Sequence, residues 1–141
     1  MKKLTVGIVI MAFLVGASFC FAESGIPNLM GTWSVKAEGG VITKGGATGA
    51  KTHHSGEFSA LSGEAVVTKQ QGRVLHGTFT TPKATESFIA VIGMDNKSFF
   101  FSDEDGFLEG KIVNKDKINA VYRHVTPTDT VMAVGTWTRK K

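Results

Sequence analysis

Short stretches in which apolar and polar residues alternate recur along most of the chain. After the first 22 residues, no window keeps the spacing of an amphipathic helix. Turn-forming residues such as Asp95-Asn96 separate the stretches, and Pro127, which lacks a backbone donor, interrupts another. The pattern predicts eight β-strands, at residues 29–37, 65–69, 74–81, 88–94, 97–102, 107–113, 118–125 and 130–140.

Most of these strands are joined by short hairpins, which predicts an antiparallel up-and-down sheet. An open sheet would leave two unpaired edges, whereas closure removes both. Nearly identical segments, Gly31-Thr32-Trp33-Ser34 and Gly135-Thr136-Trp137-Thr138, begin and end the strand pattern. The sequence therefore predicts an all-β protein, an eight-stranded antiparallel up-and-down β-barrel, in which the two GTW segments lie side by side on the first and last strands.

Residues 38–62 do not follow the hairpin rhythm. They are rich in glycine, have few large apolar side chains before Phe58, and include the pair His53-His54. Long segments of this kind in a compact domain are usually functional or disordered. We therefore interpret 38–62 as a long loop at one mouth of the barrel, with His53 and His54 in a candidate lid.

The first 22 residues have the organisation of an export signal. Two lysines precede the apolar run 4–16, and Cys20-Phe21-Ala22 fits a small-x-small cleavage site. The run is short for a membrane span. We expect cleavage before Glu23 and export to the periplasm or the exterior as one barrel domain, residues 23–141, that is not held in a membrane. A retained anchor, or a lipid on the cysteine, is the alternative.

Cysteine content and charge narrow the class of partner. The only cysteine, Cys20, lies in the expected signal, so the mature chain would have no disulfide and no thiol chemistry. The net charge at pH 7 is +4, and two of the lysines belong to the expected signal. Because the basic residues are not clustered, we expect no nucleic-acid partner.

The predicted frame resembles the calycins, the superfamily of lipocalins and avidins. Avidin-like proteins are similar in the first-strand GTW, in the hairpin formed by 66–68 and 74–79, and in the last-strand segment 134–139. The resemblance implies a small exported barrel that binds a small molecule.

The residues that bind biotin in avidins do not carry over. The corresponding positions are Val35, Phe79 and Gly135, where the family has an amide, a tyrosine and a carboxylate. Polar ligand atoms that lose these partners are costly to bury. We therefore expect no tight binding of biotin.

Trp33 and Arg139 have two interpretations. In lipocalin-like barrels a first-strand tryptophan packs at the closed end under a basic side chain of the last strand, and the resemblance implies the same pair here, with a cation–π contact. Alternatively, Arg139 reaches the lumen and binds a ligand carboxylate through two hydrogen bonds. We favour the structural interpretation and keep both residues as candidate ligand contacts.

Tyr122 and His124 alternate with outward positions and share a face with Ile118 and Ala120. If that face is the lumen, a phenol and an imidazole project near one mouth, where they could orient a ligand or transfer protons. We favour the simpler interpretation that they cap the core with their polar ends in water.

No metal site is expected. The four histidines lack cysteine or carboxylate partners at ligand spacing. Asp103, Glu104, Asp105 and Glu109 form an acidic hairpin tip without the alternating oxygens of a calcium loop, and we interpret it as a solvated turn.

Apolar residues occupy both alternating faces of several predicted strands. Successive side chains leave opposite faces of a strand, so one set must point outward. We expect that set to be covered by a second copy of the chain, in a homo-oligomer. The residues concerned are Ile89, Val91, Phe100, Met132 and Val134.

The function that best fits these observations is an exported barrel that takes a small, partly apolar molecule into its mouth, without a cofactor. Trp33, Phe79 and Tyr122 would supply the aromatic contacts. The alternatives are a lyase or isomerase that uses Tyr122 and His124 as acid and base, and a structural or protein-interaction module with a filled barrel. A cavity with a buried polar cluster would favour the first two.

Overall fold

The β-strands of this protein pair in sequence order around a closed barrel. The computed structural model describes residues 25–44 and 58–141. Every strand is antiparallel to its neighbours, and the last strand pairs with the first. The strands are β1 (Gly31–Thr43), β2 (Ser59–Gln71), β3 (Val74–Thr80), β4 (Thr85–Ile92), β5 (Ser98–Ser102), β6 (Gly106–Asn114), β7 (Lys117–Val125) and β8 (Asp129–Arg139). The predicted eight-stranded barrel is confirmed.

Pairing of β1 with β8 brings the two GTW segments together. Trp33 lies opposite Arg139, and Trp137 lies opposite Val35. The two tryptophans therefore sit at different heights in the barrel, because antiparallel strands run past each other. Closure leaves no unpaired edge along β1 or β8, as predicted.

The loop predicted over residues 38–62 is too long at both ends compared with the structure. β1 continues to Thr43 and β2 begins at Ser59, so strand residues occupy part of that range. The glycine at position 39 marks a close contact between strands, not a loop. A Cβ atom there would lie 2.2 Å from the carbonyl oxygen of Met132 on β8, so only glycine fits. His53 and His54 lie outside the described residues.

Two of the predicted turns show why the chain reverses where it does. Asn96 adopts φ 58°, a left-handed conformation that asparagine tolerates better than most residues. The side chain of Asp95 accepts hydrogen bonds from the backbone N–H groups of Lys97 (3.0 Å) and Ser98 (2.8 Å). Between β2 and β3, Gly72 has φ 57°, where glycine carries no steric cost.

The inner face of the barrel is apolar along most of its length. Alternation along the strands places one set of side chains inside, as in β4, where every second residue from Phe88 onward is buried. The buried apolar set includes Leu29, Trp33, Val35, Ala65, Val67, Leu75, Phe79, Phe88, Phe99, Phe101, Ile118 and Trp137. Within 25–44 and 58–141, no helix is long and apolar enough to cross a membrane.

Candidate functional site

One end of the barrel is closed by the segment that precedes β1. Leu29 and Trp33 are fully buried there, and the indole Nε1 of Trp33 donates to the carbonyl of Leu29 at 3.0 Å. Gln70 ties the segment to β2: its Oε1 accepts from the N–H of Leu29 at 2.8 Å, and its Nε2 donates to the carbonyl of Pro27 at 2.9 Å. These contacts hold the segment across this end of the barrel, which we call the closed end.

Arg139 covers Trp33 from outside. The guanidinium carbon lies 4.3 Å from the centroid of the indole ring, a cation–π distance. Its N–H groups donate to the carbonyls of Asn28 (2.9 Å) and Lys115 (3.0 Å), and it also bonds the carbonyl of Met30. Neither Trp33 nor Arg139 lines the cavity described below. Arg139 and Trp33 therefore pack together at the closed end, and we do not include either residue in the candidate ligand site.

Aromatic side chains fill the middle of the barrel. Phe88 and Phe101 have ring centroids 4.6 Å apart, and Trp137 meets both Phe99 (5.6 Å) and Phe101 (5.8 Å) edge to face. Such pairs add to the stability gained from burying their area. Because Trp137 and Phe101 also line the cavity, this packed layer forms its floor.

A cavity of about 50 Å³ opens at the other end of the barrel. At roughly 10–15 Å³ per water molecule it would hold a few waters, or the tip of a small ligand. Its walls are mainly apolar and come from β1, β2, β3, β5, β6, β7 and β8. The lining residues are Val35, Ala37, Leu61, Phe79, Phe101, Asp103, Leu108, Ala120, Tyr122, His124, Ala133, Gly135 and Trp137. We call this end of the barrel the open end.

Tyr122 and His124 lie on the inner face of β7, as the alternation with Ile118 and Ala120 predicts. The tyrosine hydroxyl lies 3.0 Å from Oδ1 of Asp105 and 3.4 Å from both Oδ1 of Asp103 and Nδ1 of His124. Because one hydroxyl carries one proton, the shortest contact, to Asp105, is its main hydrogen bond. The expectation that both polar ends point to water fails for His124, whose side chain is only 2% exposed.

Asp129 is the buried partner of His124. Nε2 of the imidazole lies 2.5 Å from Oδ1 of Asp129, and both side chains are almost completely buried. The turn that contains Pro127 folds the carboxylate inward: Oγ1 of Thr126 accepts from the N–H of Asp129 at 3.0 Å, and Oγ1 of Thr128 donates to its Oδ2 at 3.1 Å. Burial by itself would raise the pKa of Asp129, but the hydrogen bonds from His124 and Thr128 hold that pKa below its usual value.

A second group of carboxylates lies beside the tyrosine hydroxyl, and one of them, Asp105, also has its Oδ1 3.6 Å from Nδ1 of His124. Glu86, Asp103 and Asp105 each offer an oxygen within 4.8 Å of the others, so among the described residues this trio could hold a hard cation. Asp103 also accepts from the backbone N–H of Gly106 at 2.8 Å. The predicted solvated tip is therefore wrong for Asp103, which is half-buried, while Glu104 is exposed.

Burial and like charge dominate the electrostatics of this group. Burial raises the pKa of Asp103, and the neighbouring charges of Asp105 and Glu86 add to the rise, against the Gly106 hydrogen bond. Burial likewise raises the pKa of Tyr122, with Asp103 and Asp105 adding to the effect. The phenol therefore stays protonated and acts as a hydrogen-bond donor.

The structure brings three of the predicted candidates to one place and separates the others. Phe79, Tyr122 and His124 line the cavity, whereas Trp33 and Arg139 belong to the closed end. Sequence reasoning missed Asp129, Glu86 and the inward turn of Asp103. The signal for Asp129 was present: a turn motif of threonines around Pro127 ends on an aspartate just after His124.

In comparisons with known proteins, no family model and no curated protein matches the chain. Among solved structures, a redesigned β-barrel is similar at 10% sequence identity, with a TM-score of 0.47; the match covers 80% of this chain and 92% of the other. The eight-stranded antiparallel barrel is shown by the strand pairing of this protein itself.

Proposed function

We propose that this protein is an exported binding barrel that takes a small, partly apolar molecule into its open end, as calycins do. The observation that supports this proposal is the cavity. Its floor and walls are apolar or aromatic, and one side presents Asp103, Tyr122 and His124. Small-molecule sites commonly combine an apolar pocket with a few convergent polar groups.

The positions that avidin-like proteins use for their ligand support the same location. Val35, Phe79 and Gly135 all line the cavity, but they offer no polar side chain. Because these three positions have no polar side chain, Asp103, Tyr122 and His124 would supply the hydrogen bonds to a ligand. A ligand would therefore enter where calycin ligands do and be recognised by different groups, and biotin should not bind tightly.

Native mass spectrometry of the protein purified from its own source tests this proposal. We expect a bound small molecule that is lost on denaturation, and a variant with a larger side chain in the cavity lining, Ala133→Leu, should come without it. An empty wild-type protein that also binds nothing from a small-molecule panel would contradict the proposal. The same spectra test export: the mature chain should begin at Glu23, and retention of residues 1–22 or a lipid on Cys20 would refute cleavage there.

One observation favours a second candidate, a lyase or isomerase. Asp129 holds Nε2 of His124, so that Nδ1 faces the tyrosine hydroxyl, 3.4 Å away at the cavity. An imidazole fixed by a carboxylate can accept a proton from a carbon acid, while the protonated phenol donates a hydrogen bond to the developing oxyanion.

Proton exchange distinguishes an enzyme from a binding protein. Small ketones and aldehydes incubated with the enzyme in D₂O would lose their α-proton signals in NMR spectra, and His124→Gln would abolish the effect. If wild-type protein leaves the exchange rate at its buffer value, the binding function stands alone. The cavity favours both candidates over a barrel that is filled throughout.

A further inference from the structure

The polar side of the cavity is acidic, and this limits the charge of what can bind there. Asp103 is the carboxylate in the lining, with Tyr122 and His124 beside it and apolar residues around the rest. Asp105 and Glu86 stand behind Asp103, with carboxylate oxygens within 4.8 Å of its own. A ligand in the cavity is therefore surrounded by apolar side chains on most sides and faces a carboxylate on one side.

Apart from His124, the described basic side chains near this end do not line the cavity. No lysine or arginine of residues 25–44 and 58–141 lines the cavity. Arg123, on the same strand as Tyr122, points outward and pairs with Glu109. Lys44 donates to the carbonyl of Thr126 at 2.9 Å, and Asp129 occupies Nε2 of His124. The imidazole is thus the basic side chain in the lining, and it already has a carboxylate partner.

We propose that the ligand is an organic cation, a primary ammonium group on a small apolar body, whose charged head bonds to Asp103 while its body contacts the aromatic floor. This inference rests on the proposed binding function and names its ligand class. A carboxylate that is half-buried and crowded by like charges gains most from a positive partner.

Neutral and anionic ligands fit this face less well. An anion would be repelled by Asp103, Asp105 and Glu86 together. A neutral molecule would lack the charge-assisted hydrogen bond that compensates for displacing water from Asp103. A divalent metal ion could use the same oxygens, but it would make no use of the apolar walls, so the metal is an outcome of the test.

Isothermal titration calorimetry of the mature protein with matched probes measures which ligand charge the cavity prefers. The probes are n-butylammonium and benzylammonium, the neutral n-butanol and benzyl alcohol, the anions butyrate and benzoate, and Ca²⁺ and Mg²⁺ alone. We expect the ammonium ions to bind at least about 10-fold more tightly than the alcohols, because hydrogen bonds to charged groups are stronger than neutral ones. The anions should not bind.

Asp103→Asn and Glu109→Gln form a matched pair of variants. Asparagine keeps the oxygen that accepts from Gly106 but removes the charge in the lining. It should weaken ammonium binding about 10- to 100-fold and leave alcohol binding unchanged. Glu109→Gln removes the same charge from the outer wall, where Glu109 is exposed, and should change ammonium binding by less than about twofold.

Each contrary result overturns the inference. Equal affinity for ammonium ions and alcohols, preferential binding of the anions, binding of Ca²⁺ or Mg²⁺ without the ammonium ions, or equal effects of the two variants would each show that a cationic head is not recognised. The binding function would survive the first two results. If no probe binds and protein from its own source carries no small molecule, the proposed function itself fails.

Discussion

The two ends of this barrel are built on the same eight strands and do opposite things with their inner side chains. At the closed end, the segment before β1 lies over fully buried Trp33, and Arg139 holds that segment through the carbonyls of Asn28 and Met30. At the open end, small residues such as Ala133 and Gly135 leave a cavity bordered by acidic and hydrogen-bonding groups.

The difference lies in where the polar groups find partners. At the closed end, the side chains of Trp33, Gln70 and Arg139 all donate hydrogen bonds to backbone carbonyls of the protein. At the open end the polar groups are bonded mainly to one another, and three carboxylates gather within 4.8 Å. Contacts that stabilise the fold are therefore concentrated at one end, and the groups that the proposed ligand site would use lie at the other. Functional sites of many proteins are likewise built from less stable parts of the fold.

Truncation at the closed end should have the largest effect. Trp33→Ala removes a fully buried aromatic side chain, and we expect the free energy of unfolding to fall by about 3–5 kcal/mol. Urea denaturation followed by the fluorescence of the remaining Trp137 measures this. Leu61→Ala, at the open end, removes a half-buried side chain beside an existing cavity and should cost only about 1–2 kcal/mol. Equal costs would remove the distinction between the ends.

Asp129→Asn should have the next largest effect, and it should depend on pH. The folded-state pKa of Asp129 is lowered, so its carboxylate stabilises the protein above the ordinary value of 3.8, and this contribution is lost as the pH falls through the folded-state pKa. Near pH 7 we expect a loss of about 1–3 kcal/mol. The unfolding curves of wild type and variant should converge in acid.

Asp103→Asn provides a control of opposite sign for that pH dependence. The folded-state pKa of Asp103 is raised, so its ionised form destabilises the folded protein, and the penalty disappears as the pH falls. This variant should be more stable than wild type near pH 7 and equal to it in acid. Parallel behaviour of the two aspartate variants would show that the environments of the two carboxylates do not differ as described.

The frame of the barrel could be predicted because its signals are local. Alternation fixes which face of a strand is buried, and turn residues such as Asp95-Asn96 fix where it ends. The end of β1 could not be predicted in this way. Glycine usually indicates a loop. Gly39, however, lies in a strand, where the lack of a side chain allows close contact with the backbone of Met132, a residue far along the chain. That contact exists only once β1 and β8 are paired.

The open end was only partly predictable for the same reason. Alternation placed Tyr122 and His124 on the inner face, but their partners come from other strands and turns. Asp103 lies 19 residues before Tyr122. The contact between its carboxylate and the tyrosine hydroxyl depends on the pairing of β6 with β7. An acidic turn is usually solvated, so the sequence gives no local sign that one of its carboxylates turns inward.

Arg139→Lys tests the closed end more gently than the tryptophan variant. Lysine keeps the positive charge but cannot present the planar fork of donors that reaches Asn28, Met30 and Lys115 while stacking on Trp33. We expect the free energy of unfolding to fall by about 1 kcal/mol, measured by chemical denaturation. Wild-type stability would mean that the arginine bonds contribute little and that the buried core alone closes this end. Ammonium binding at the open end should be unchanged.

The outer wall should show the smallest effect on stability and the clearest effect on association. Outside the barrel, Val74, Val91 and Phe100 lie opposite one another on β3, β4 and β5, and all three are about 40% exposed. Met132 and Val134 are exposed on β8, on the far side of Glu109 and Arg123. Single apolar residues on a surface are ordinary, whereas a contiguous row favours association.

We expect the homo-oligomer predicted from the sequence to use the row on β3, β4 and β5, and sedimentation at micromolar concentration measures it. Val91→Lys places a charge in the middle of the row. It should convert the assembly to a monomer while changing the stability of each barrel by no more than about 0.5 kcal/mol. Val134→Lys, outside the row, is the matched control and should leave the assembly intact. A wild-type protein that already sediments as a monomer would refute the oligomer. Dissociation by Val134→Lys alone would move the interface to β8, next to the strand that supplies His124, and would couple assembly to the open end.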